Sequence, residues 1–61
     1  MPSPIMKFFA YEHLPPHLQK LSKPICDLAK QMDEGLVDSA EKSVGLRKLL
    51  EAKDAFVRAA L

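Results

Sequence analysis

Cysteine is nearly absent from this chain. Cys26 stands alone, so no disulfide can form within one molecule. A lone thiol fits a reducing compartment, and a cytoplasmic location is the expectation. Neither sign of charge is in excess: nine basic against eight acidic residues leave a net +1. A general nucleic-acid binder carries a clear basic surplus, so that class is set aside. A small anionic ligand needs only a few cations and stays allowed. Long apolar runs are also missing, and none approaches the roughly 18 residues of a membrane span. Residues 1–11 lack the apolar segment and small-residue cleavage site of a signal peptide. Met6 offers a second start position, with the first five residues as a leader. Glycine is confined to Gly35 and Gly45, too few for a phosphate-cradling loop. No nucleophile sits in a recognised elbow or redox motif. The expectation is a protein that is not an enzyme and carries no cofactor.

Helical periodicity is what the chain does have. Leu14, Leu18, Leu21, Ile25, Leu28 and Met32 follow at alternating steps of four and three. That is one narrow helix face, like a coiled-coil seam. A second stripe follows in Leu46, Leu49, Leu50, Phe56, Val57 and Ala60, with a cation, Lys53, at its centre. The spacing predicts an all-α fold: an antiparallel two-helix hairpin over residues 14–61 behind an irregular aromatic segment, residues 1–13.

The first helix is expected over about 15–34. Pro15-Pro16 suits a first turn, where a missing N–H is no loss. Gly35 would supply a left-handed C′ residue, with Leu36 folding over Met32. Pro24 lies inside and removes the bond to the carbonyl of Lys20. The stripe passes through it in register, so one helix kinked near Pro24 is preferred over two. The second helix is expected over about 39–60, opened by an Asp38-Ser39-Ala40-Glu41 capping box. Val44 and Gly45 weaken its first turns. A connection of about four residues, 35–38, sets the helices side by side and antiparallel. Ahead of them Pro2 and Pro4 oppose a regular start. Phe8, Phe9 and Tyr11, all but one of the aromatics, should fold back onto the helices or a neighbouring subunit.

A chain of 61 residues has little core, and chains of this size usually rely on a disulfide, a metal or a partner chain. The disulfide is excluded. Metal is poorly supported: His13 and His17 are separated by two prolines, and no second cysteine or close carboxylate pair completes a ligand set. A partner chain remains, and the expectation is an obligate homo-oligomeric helical bundle.

Arg47, Glu51, Asp54 and Arg58 form a charged ribbon with a favourable acid-before-base pair at Asp54 and Arg58. It is either a solvated face or an inter-subunit ribbon whose arginines reach an anion. Lys53 either lays its stem along apolar surface with its ammonium in water or edges a phosphate pocket. Phosphates want Arg and Lys, and bases want aromatic faces. If Phe8, Phe9 and Tyr11 converge with Lys23, Lys53 and Arg58 between subunits, each interface becomes a nucleotide-sized pocket.

The run from Glu41 to Ala60, with Leu46-Arg47-Lys48-Leu49-Leu50-Glu51-Ala52-Lys53-Asp54 and the closing Val57-Arg58-Ala59, resembles the ending of many small phage and prophage proteins. Tyr11-Glu12-His13-Leu14-Pro15 and Ser22-Lys23-Pro24 resemble them as well. These proteins are grouped with a helical-hairpin domain shared by phage anti-CBASS and anti-Thoeris sponges. The resemblance covers residues 8–61. It implies a homo-oligomer in the host cytoplasm that sequesters a cyclic di- or oligonucleotide, or a cyclic ADP-ribose-like signal, without cleaving it. It also implies roles: Tyr11 stacks on the ligand, Lys23 binds phosphate and Arg58 is the arginine of the closing motif. Pro24, directly after Lys23, and the shorter chain depart from the pattern. The alternative is a helical adaptor that docks on a host or phage protein through its apolar face. A bundle that binds RNA or DNA suits the hairpin but not the charge.

Overall fold

A computed structural model describes residues 3–61; Met1 and Pro2, with the expectation placed on Pro2, lie outside it. The described chain is all-helical. The segment expected to be irregular carries a 3-10 helix, η1 (Pro4–Phe9), with proline in its first turn. Two long helices follow, α1 (Pro16–Gly35) and α2 (Ala40–Ala59), and they pack on each other with η1 against both.

α1 starts where the prolines place it, with Pro15 as N-cap and Pro16 in the first turn. It runs unbroken through Pro24. Both Pro24 and Lys20 are exposed, so the carbonyl that loses its partner lies on the wet side of the helix.

Two expected helix ends are corrected. Gly35 is not left-handed; no described residue has a positive φ, and α1 passes into an extended Leu36 at φ −117°. Leu36 and Met32 both stay exposed and line one groove. The orphan carbonyls of this end are met by a side chain from the next helix. The Lys42 ammonium donates to the carbonyl oxygens of Asp33 at 2.6 Å and Leu36 at 3.1 Å. The second correction is the N-cap of α2, which is Ser39. Its Oγ accepts the Lys42 backbone N–H at 3.1 Å. Asp38 is one residue too early and receives the Lys42 ammonium instead, at 2.9 Å.

The seam between the helices is rotated from the leucine stripe. The buried positions of α1 are Leu18, Ser22, Cys26, Ala29 and Asp33. Small side chains there let the backbones approach, and Phe9, Cys26, Ala29 and Leu46 form the core. Leu28 and Met32, expected in the seam, are 44% and 38% exposed. Phe9 is wholly buried, and Ile5, Met6 and Tyr11 pack around the same cluster. The η1 segment thus covers one side of the hairpin, which is why the aromatics sit where they do in the chain.

Candidate functional site

The polar feature built with the most partners was not anticipated. Asp33, in the last turn of α1, and Lys42, in the first turn of α2, are both buried. The Lys42 ammonium lies 3.1 Å from the Asp33 carboxylate, in addition to its bonds to two carbonyls and Asp38. Asp33 also accepts the Ser3 backbone N–H at 3.1 Å and the Ser3 hydroxyl. This cluster ties the N-terminal segment, the end of α1, the connection and the start of α2 together. The Ser3 hydroxyl and backbone bonds, with Lys42, hold the Asp33 carboxyl down at about 2. Lys42 is held above its ordinary value, first by the bond to Asp38 and then by Asp33, against the cost of burial. Every strong donor and acceptor here is taken up within the chain, so the cluster is a structural clamp. The sequence carried a signal for it: Lys42 precedes Leu46 by four residues, in core phase, as Lys53 follows it by seven.

The Asp33–Lys42 and Ala29–Leu46 pairings set the antiparallel register. The same register brings Ser22 level with Lys53, the polar residue of each stripe. Ser22 is wholly buried and its Oγ has no hydrogen-bond partner. The Lys53 side chain is 11% exposed, and its ammonium lies 3.2 Å from Asp54. Asp54 is thereby paired with its chain neighbour.

Among the described residues, no hydrogen bond or ion pair joins any two of the four anticipated site residues. Lys23 is exposed, two turns into α1, and donates to Asp27 at 2.9 Å. That bond is the main reason its ammonium sits above the ordinary lysine value. Tyr11 is half-buried against the core. Arg58 is exposed in the last turn of α2. It follows Arg47 by three turns, on the flank where Ser43 and Arg47 meet Ser3, Pro4 and Ile5. Lys30 lines a groove with Met6, and Lys23 lies two turns before it. Helical spacing therefore places Lys23 and Arg58 on the flanks nearer η1, with Arg58 at the end remote from the connection, while Tyr11 packs on the core and Lys53 lies in the seam. Among the described residues no carboxylate is within ion-pair reach of Arg58.

The described grooves lie at the other end. One, of about 480 Å³, is lined by Met32, Leu36, Val37, Gly45, Leu46 and Leu49, with Ser39, Glu41 and Lys42 at its polar margin. It spans both helices on the side away from η1. Among the described residues no group of three or more His, Cys, Asp or Glu side chains gathers as metal ligands, and no helix is long and apolar enough to cross a membrane. Cys26 is buried in the core as a free thiol. No family model, curated protein or solved structure matches this chain.

Proposed function

We propose that the protein is a phage- or prophage-encoded anti-defence binding protein of the sponge group. It works in the host cytoplasm as a homo-oligomer and sequesters a cyclic di- or oligonucleotide, or a cyclic ADP-ribose-like signal, without cleaving it. The observation that carries this reading is Lys23, an exposed cation on α1 held only by the equally exposed Asp27 carboxylate at 2.9 Å, in a chain whose Tyr11 ring is half-buried. A base needs an aromatic face and a phosphate needs a cation, and Tyr11 and Lys23 supply one of each. The exposed pair Lys23–Asp27 is of a kind worth little in water, so a phosphate can displace the carboxylate. Arg58, on the same side of the hairpin, adds a second cation, and a planar guanidinium donates paired N–H bonds to phosphate oxygens.

The test is a thermal-shift panel of cyclic dinucleotides, cyclic trinucleotides and cyclic ADP-ribose compounds. A ligand that binds only the folded state raises the melting temperature, by about 2.7 kcal/mol of stability at a hundredfold excess over its Kd. At least one compound is expected to do so. Lys23→Ala and Arg58→Ala should each abolish that shift and leave the unliganded melting temperature and the mass in solution unchanged. Loss of the oligomer in either variant would make those residues structural. A flat response across the panel would favour the adaptor reading.

A further inference from the structure

The hairpin has two broad sides, and only one is covered. η1 lies over one side with Phe9 and Met6. On the other, helical spacing aligns Leu21, Ile25, Leu28 and Met32 along one flank of α1, and Leu49 and Phe56 along the matching flank of α2. These flanks belong to one face, because the groove between them is lined from both helices. No charged residue lies within the face; Glu41 and Lys48 stand at its outer edge on α2. Large apolar side chains are more numerous outside this molecule than inside. Leu28, Met32, Leu36, Val37 and Phe56 are exposed, whereas the buried apolar set is Phe9, Leu18, Cys26, Ala29 and Leu46, two of them small. Soluble monomers seldom leave so continuous a patch bare.

We propose that a second copy of this chain covers the face, forming an isologous, two-fold pair of hairpins with a four-helix core. This rests on the oligomer in the reading above and assigns the surface that makes it. Three observations favour a second copy as occupant. The face is apolar from flank to flank, so it is complementary to itself and needs no opposite charge from a different partner. The net charge of +1 gives two copies little reason to repel. The molecule is 34 Å long and 18 Å wide over its backbone, so a long side has room for an interface of the standard size, roughly 800 Å² per partner. Paired this way, the copies keep Lys23 and Arg58 on their outer, η1-bearing sides.

The experiment uses the full chain, measured by native mass spectrometry and sedimentation, with a photo-crosslinking residue placed in turn at Phe56 and Val44. Phe56 is on the proposed face. Val44 is comparably exposed on α2 but points away from it. The expected result is a mass of two copies, or a multiple of two, with efficient chain-to-chain crosslinking from position 56 and little from position 44. The double variant Leu28→Glu, Phe56→Glu should lose the pair, and Val44→Glu should keep it. A folded monomer at micromolar concentration, or crosslinking from position 44 in preference to 56, would overturn the proposal. Mass and crosslink are read without nucleotide, so a failed ligand panel leaves this result standing, and a failed pair leaves a positive panel standing.

Discussion

Gly35 ends α1 in an ordinary helical conformation, and a methyl group added to it would meet nothing within 4 Å. A glycine in that situation only adds freedom to the unfolded chain. Gly35→Ala should therefore raise stability, by about 0.4–1 kcal/mol, in urea titrations; a left-handed Gly35 would give a loss instead. Ser22 offers a second test at the same scale. Its hydroxyl is wholly buried without a partner, and such a group costs about 1–3 kcal/mol in desolvation. Ser22→Ala removes that cost and almost no volume, so denaturation should show a stability gain of about 1 kcal/mol. Neither residue advertised its state in the sequence. A glycine after a helical stripe ordinarily signals a left-handed cap, and only the arrival of Lys42 from seven residues onward makes that cap unnecessary. Nothing local told Ser22 apart from an exposed helical serine.

At the scale of the elements, the two helices, the helix-breaking effect of the connection and the proline start of α1 were legible, since each follows from local spacing and chemistry. The face that α1 buries was not. Two stripes run along it, the leucines and a neighbouring one of Leu18, Ser22, Cys26 and Ala29. Hydrophobicity favours the first, while close approach of two backbones favours the second. The phase of α2 held the missing information, because two of its core-phase positions are lysines, and Lys42 requires a carboxylate and free carbonyls opposite. The clamp it forms gives the fold a pH dependence. Asp33 has an ordinary value of 3.8 when unfolded and about 2 when folded. The folded state thus binds fewer protons than the unfolded chain between these values. The contribution is complete above pH 4 and is lost as pH falls from about 4 to 2. Urea midpoints should fall over that window, and Asp33→Asn should flatten the fall while lowering stability at neutral pH. Lys42→Met should destabilise at neutral pH as well, since it leaves two carbonyls without their donor and the buried Asp33 carboxylate without its countercharge.

For the whole molecule, Leu28, Met32 and Phe56, which local spacing marked for burial, are exposed, and the proposed pairing would cover them. If the paired state is the stable one, the melting temperature depends on protein concentration, each tenfold increase adding about 1.4 kcal/mol per pair. Scanning calorimetry across two decades of concentration should show the midpoint rising, and Leu28→Glu, Phe56→Glu should abolish the rise. Site chemistry was less legible than architecture. Whether residues as far apart in sequence as Tyr11, Lys23 and Arg58 serve one site depends on η1 and the antiparallel register, which no local pattern encodes. The aromatic cluster was readable as packing material, but which ring would be buried was decided by the turn of a 3-10 helix, which seats Phe9 inward and leaves Phe8 outside beneath Lys7.

The connection between the helices is outwardly the weakest point of the chain, with Val37 87% exposed. A protease needs several consecutive residues pulled free of the body before it can cut, and here the carbonyl of Leu36 is fastened to Lys42, which is fastened in turn to Asp33 and Asp38. Cleavage at this bend is thus governed by how often the clamp opens rather than by how much of the bend is visible from outside. The same fastening that closes α1 makes the most accessible bend in the molecule a slow one to digest.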